Sequence, residues 1–112
     1  MNRNKHLPLT ETVYYILLSL LEPRHGYLIM QRVEELSRGH VRMAAGTLYG
    51  ALENLMKLDF IVLIPKQDSR RKIYIITEQG KDILRLEQER MTFLLEVSKQ
   101  LVKEDPKNHE EI

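Results

Sequence analysis

Between residues 81 and 105 the chain contains neither glycine nor proline, and its apolar residues recur at three- and four-residue spacing. Thr77 can cap such a segment and Glu78 suits its positive first turn, so one helix is expected from there to about residue 103. Its stripe runs through Gly80, Leu84, Glu87, Met91, Leu94, Ser98 and Leu101, interrupted by charge at 87–90 and richest in apolar side chains from Met91 onward. In a chain of 112 residues, a helix of that length exceeds what the remaining short elements can cover. It is therefore expected to pack on its own copy in a homodimer, through Leu84, Met91, Leu94, Ser98 and Leu101.

The elements before it are short. Val13, Ile16, Leu17, Leu20 and Leu21 have helical spacing, Thr10 is a suitable cap, and Pro23 with Gly26 ends the helix and turns the chain. The flanks Tyr14, Tyr15 and Leu18 are also apolar, which asks for burial on more than one side. A second helix is expected over 27–37 on the stripe Ile29, Val33 and Leu36. A third, over 46–58, buries Leu48, Leu52, Leu55 and Met56 and turns Thr47, Gly50, Asn54 and Lys57 outward, with Glu53 the only nearby acid. That outer face can enter a DNA major groove N-terminus first; the same pattern also suits an ordinary amphipathic helix.

After Phe60 the periodicity becomes strand-like. Residues 61–64 and 72–76 are β-branched runs separated by a cationic stretch in which Lys66, Arg70, Arg71 and Lys72 oppose Asp68. A β-hairpin with a basic tip follows, either a phosphate-gripping wing or a plain solvated loop. The expected fold is mainly α with a small β-hairpin: a winged helix-turn-helix over 1–77, a long C-terminal dimerisation helix over 78–104 and a flexible tail over 105–112.

The totals narrow the function. Net charge is only +1, yet residues 1–77 hold 11 Lys and Arg against 7 Asp and Glu, while 78–112 hold 6 against 9. A basic front and an acidic rear suit a protein whose first part meets a polyanion. With no cysteine, disulfides, thiolate zinc sites and thiol catalysis are excluded. The four histidines fall in turns or tails without paired ligand spacing, and neither a phosphate-binding glycine loop nor a nucleophile elbow is present. No enzyme, cofactor, metal site or membrane segment is expected, and the cytoplasm is the expected location.

Three segments in order carry a family resemblance: Leu20-Leu21-Glu22-Pro23-Arg24-His25-Gly26-Tyr27, Gly46-Thr47-Leu48-Tyr49-Gly50-Ala51-Leu52, and Arg71-Lys72-Ile73-Tyr74-Ile75-Ile76-Thr77-Glu78-Gln79-Gly80. Over residues 13–84 the chain resembles PadR-like transcriptional regulators. The resemblance implies a homodimeric repressor of the short type, with a single C-terminal helix, binding double-stranded DNA at a pseudo-palindromic operator. Gly50 stands where that family commonly has proline, and Ile73 where an aromatic is common.

Thr47, Tyr49, Gly50, Asn54 and Lys57 are the candidate groove residues, with Tyr49 either reaching a phosphate or packing under the wing. Lys66, Arg70, Arg71 and Lys72 are the candidate phosphate contacts, Tyr74 is read as core, and Gly26 and Tyr27 as packing. The resemblance also implies a small, often aromatic effector at the subunit junction. Tyr14, Tyr15, Leu18, Met91, Phe93, Leu94 and Leu95 are the candidate cleft, although plain dimer core explains them as well and no Trp is present to stack a flat ligand. The competing function is a winged helix that binds protein rather than DNA.

Overall fold

The computed structural model describes residues 4–65 and 70–106. Helix α1 (Glu11–Ser19) starts where Thr10 accepts the Val13 N–H at 3.1 Å, with Glu11 in the first turn. It stops short of Leu21, the end of its apolar pattern, and Leu21 is half exposed. Ser19 turns its hydroxyl back onto the Ile16 carbonyl (2.7 Å), and the Leu20 carbonyl leaves the helix to accept the Ile76 N–H at 2.9 Å.

That bond leads into an element the sequence reading did not contain. Arg24–His25 form a strand, β1, so the expected two-stranded hairpin is a three-stranded antiparallel sheet. Its partners are β2 (Ile61–Ile64) and β3 (Ile73–Ile76), in the order β1-β3-β2, with Arg24 opposite Tyr74 and Ile61 opposite Ile76. A two-residue strand is too short to show alternation; it forms because the second edge of β3 offers unpaired backbone groups.

Helix α2 (Gly26–Leu36) buries Ile29 and Val33 completely. It ends in two successive left-handed residues, Arg38 (φ 52°) and Gly39 (φ 81°), and the Gly39 N–H reaches the Glu34 carbonyl at 2.9 Å. Ser37 then accepts the Val41 N–H at 3.0 Å, which sets the turn into α3 (Ala45–Lys57). Leu48, Leu52 and Leu55 of α3 are core, while Met56, expected beside them, is only half-buried.

Helix α4 (Glu78–Glu104) begins as expected at Thr77, whose hydroxyl accepts the Gly80 N–H (3.0 Å) and donates to the Asp59 carbonyl (2.6 Å). One side chain thus ties the start of α4 to the turn after α3. The first turns of α4 bury Ile83 and Leu84 in the chain's own core, so Leu84 is not a surface for a second copy, contrary to expectation. From Met91 to the end of the helix every side chain is exposed. The helix is roughly 40 Å long at 1.5 Å per residue, and the radius of gyration, 17.4 Å, exceeds the roughly 13 Å of a compact chain this size.

Glu87 corrects the reading of 87–90 as an interruption. It is 1% exposed; its Oε2 accepts the Leu9 N–H at 2.7 Å and its Oε1 the Arg90 guanidinium. The stripe continues through it, as a buried acceptor that ties the segment before α1 to α4. The bond from Arg90 and the Leu9 N–H hold its carboxyl below the usual range, against an opposing push from burial. A depressed folded pKa stabilises the fold fully above the ordinary carboxylate range and loses that contribution as pH falls through the folded value. Glu87→Gln is expected to lower unfolding free energy by about 1–2 kcal/mol at pH 7, with the gap closing in acid. Denaturant titrations of both proteins from neutral pH downward would check this; a gap independent of pH would rule it out.

Candidate nucleic-acid interface

The buried leucines of α3 hold the opposite face outward: Thr47, Gly50, Asn54 and Lys57 are all exposed. A Cβ at Gly46 or Gly50 would meet nothing within 4 Å, so neither glycine answers to packing inside the chain. The side-chain amide of Asn54 makes no hydrogen bond to a described residue and remains available to a base edge. Lys57 is paired with Glu53 one turn earlier at 3.6 Å. Ala44, the N-cap of α3, supplies no side-chain acceptor, and no acid stands in the first turn. The N-terminal amides of α3 therefore face solvent with the positive end of the helix dipole behind them.

Beside α3 lies the wing. Arg70, Arg71 and Lys72 are exposed just before β3; Lys66 lies outside the described residues. Arg71 Nη1 is 3.2 Å from His25 Nε2. Because a guanidinium only donates, His25 Nε2 must be the acceptor there, with the ring proton on Nδ1. Strand β1 thus supplies a partner for the wing.

Tyr49 does not extend freely into solvent. It leans over the start of α2, where a Cβ on Gly26 would lie 2.9 Å from Tyr49 Cζ and closer still to its hydroxyl. Gly26 is needed for that approach and not for unusual backbone angles, since the left-handed residues of the chain lie elsewhere. Tyr74 is 3% exposed, as a core residue should be. Burial, and after it the neighbouring Tyr49, push the Tyr74 phenol above its ordinary range, so it stays a neutral hydroxyl. Tyr27, read as packing, is instead 61% exposed at the first turn of α2.

These groups surround a recess of about 510 Å³ between α2, α3 and the wing. Tyr49, Tyr74 and His25 form its wall, and the cations Arg70, Arg71 and Lys72 its rim. Among the described residues, no carboxylate lines it. Sequence reasoning placed the cations and Tyr49 and read Gly26 as packing, without naming Tyr49 as its partner; it missed His25, whose role depends on a strand of two residues.

The second expected constellation is only partly assembled. Tyr14, Tyr15, Leu18 and Met91 line a cleft of about 470 Å³ with Glu87 and Arg90 at its edge. Phe93, Leu94 and Leu95 are not part of it; they lie further along the exposed rod. Among the described residues, no helix is long and apolar enough to cross a membrane.

Comparison with known proteins places this geometry. The sequence model of the transcriptional regulator PadR-like family matches residues 15–86, more than half of the chain. A search of curated proteins returns no match. Among solved structures, a PadR family transcription regulator from Clostridium difficile R20291 is 28% identical, covering 80% of this chain and 97% of its own, with a TM-score of 0.65. A transcriptional regulator from Clostridium thermocellum is 27% identical over 79% of this chain and 87% of its own (TM-score 0.67). The Bacillus subtilis PadR, solved in complex with operator DNA, shares the fold at 24% identity, covering 70% of this chain and 46% of its own (TM-score 0.59). With its helix-turn-helix, its three-stranded wing and this match, the chain belongs to the PadR-like family, which is a family of transcriptional regulators and not of enzymes.

Proposed function

We propose that this chain is a homodimeric, sequence-specific regulator of transcription in the cytoplasm, a repressor that binds a pseudo-palindromic operator. Helix α3 lies in the major groove and the wing on the flanking backbone. The observation that carries the reading is the outward face of α3, free of bulk at Gly46 and Gly50 and bordered by Arg70, Arg71 and Lys72. Thr47 and Asn54 read base edges, and Tyr49 and Lys57 stand beside them. The cations of the wing, with Lys66, meet phosphates, which add affinity without sequence. The fold-sharing B. subtilis PadR supports the reading, having been solved on operator DNA. Two copies joined through the exposed end of α4, at Met91, Leu94, Ser98 and Leu101, present two such faces to half-sites one helical turn apart. A small apolar or aromatic effector that changes their separation would release the DNA; the cleft beside Tyr14, Tyr15 and Met91 supports that part of the reading.

The division of labour can be measured. Asn54→Ala is expected to relax sequence preference at one position by about 1–3 kcal/mol. Arg70→Ala with Arg71→Ala should weaken all duplexes alike and reduce the slope of log K against log salt by about two. Selecting bound fragments from a random duplex library, then titrating them at several salt concentrations, reads both. If the two variants lost the same property, the assignment of groove and backbone residues would be wrong. An absence of duplex binding by the wild type at low salt would instead favour a protein-binding winged helix.

A further inference from the structure

Helix α3 carries two glycines, Gly46 and Gly50, one turn apart on its outer face. Each costs helical stability relative to alanine, yet a Cβ at either would meet nothing within 4 Å, so no contact inside the chain requires them. Gly26 and Gly80 are the contrast, since a Cβ there would run into Tyr49 or into the Phe60 carbonyl. A strip of bare backbone on a solvent-facing helix serves something that approaches from outside. The exposed side chains that border the strip, Thr47 and Asn54, are short. Neither can reach a base edge from a helix held at the rim of a groove, whereas both can when the backbone itself goes deep. Bare backbone and short readers describe one docking geometry.

The same face limits which bases can be read. Guanine is held through O6 and N7 by the donors of arginine or lysine, and cytosine N4 by a carboxylate. Helix α3 contains no arginine, and its one lysine and one glutamate, Lys57 and Glu53, pair with each other at 3.6 Å. Arg42, just before the helix, turns toward Glu34 of α2, at 2.9 Å. What remains over the strip is the amide of Asn54 and the hydroxyl and methyl of Thr47. An asparagine amide matches adenine, Oδ1 accepting from the N6 amine and Nδ2 donating to N7, and a threonine methyl matches the C5-methyl of thymine.

We infer that the base pairs α3 reads in each operator half-site are A·T pairs, with Asn54 hydrogen-bonded to an adenine, Thr47 set against a thymine methyl, and Gly46 and Gly50 letting both reach. This rests on the DNA reading above and names the bases which that reading leaves open. Thr47 and Asn54 determine specificity by contact. The two glycines are positioning residues, acting through the depth at which the helix sits.

The test selects bound fragments from a random duplex library with wild type. The selected sites are then remade with 7-deazaadenine, which lacks N7, or with uracil, which lacks the methyl. Selected half-sites should hold A·T pairs at the positions that Asn54→Ala relaxes. There, 7-deazaadenine should cost wild type about tenfold and Asn54→Ala nothing further; uracil should weaken wild type and leave Thr47→Ser unaffected. Gly50→Ala should melt at or above the wild-type temperature, because its Cβ has open space. It should nevertheless lose about tenfold on the selected operator while binding random duplex as before. G·C pairs at the positions relaxed by Asn54→Ala would overturn the inference, and so would a 7-deazaadenine penalty that this variant leaves intact. Indifference of wild type to both analogues would also overturn it, by assigning any A·T preference to duplex shape. Undiminished operator affinity in Gly50→Ala would remove the close approach on which the inference depends. Failure of the DNA reading looks different, since wild type itself would then select nothing and bind no duplex at low salt.

Discussion

Gly80→Ala is expected to destabilise the fold by about 2–3 kcal/mol, although the same change in an ordinary helix interior stabilises by roughly 0.5–1 kcal/mol. The sign reverses because α4 crosses directly over the turn that follows α3. A Cβ on Gly80 would fall within contact distance of the Phe60 carbonyl oxygen and of Ile76 Cγ1, with Ile76 Cδ1 at 3.2 Å. The oxygen cannot withdraw cheaply, since it accepts the Thr77 N–H at 3.0 Å. Relief would require α4 to lift away, and Ile83 and Leu84 would then leave the core. Urea denaturation of Gly80→Ala measures the effect, with Gln79→Ala on the exposed side as the control, expected within about 0.5 kcal/mol of wild type. Equal stabilities for Gly80→Ala and wild type would mean that α4 and the turn are not in contact. The prediction also explains the Thr-Glu-x-Gly pattern at 77–80: threonine fastens the helix start to the turn, and glycine lets the two backbones approach.

The second large effect concerns assembly. Leu94→Glu combined with Leu101→Glu is expected to make the protein monomeric and to cost at least about a hundredfold in operator affinity, the usual scale of lost avidity when two sites are no longer linked. Leu94 and Leu101 are seven residues apart on one face of α4, 43% and 63% exposed, in a stretch where Phe93, Leu95, Val97 and Val102 are exposed as well. A run of uncovered apolar side chains of this length is what a partner helix buries. Both positions lie beyond the last buried residue of the helix, Glu87, so the body should fold as before. Sedimentation equilibrium gives the mass, and titration of a full operator against a single half-site gives the linkage. A variant that stayed dimeric would move the interface elsewhere; a monomer that kept full operator affinity would remove the need for a dimer.

Periodicity and turn chemistry made most of the elements legible. Helices α1 to α4, the β2–β3 pairing, the caps Thr10 and Thr77 and the outward face of α3 all follow from local patterns, because each depends on residues within a few positions of one another. The resemblance at 20–27, 46–52 and 71–80 likewise lies within the region matched by the family model. Errors arose where a residue's partner is distant in sequence. Glu87 read as a break in the stripe because nothing near it announces the Leu9 N–H, 78 residues away. Leu84 read as dimer surface because the point at which α4 leaves the body depends on where the body ends.

By itself, then, the sequence determined the order and type of the long elements, the cationic wing and the exposed outer face of α3, since hydrophobic spacing and capping are short-range. Only the tertiary structure decided that β1 completes the sheet, that Gly26 makes room for Tyr49 and that His25 holds Arg71. Each of these is a meeting of two distant segments, set by how a sheet edge is satisfied and how closely two backbones approach, and neither quantity is written in the spacing of residues along one strand or helix.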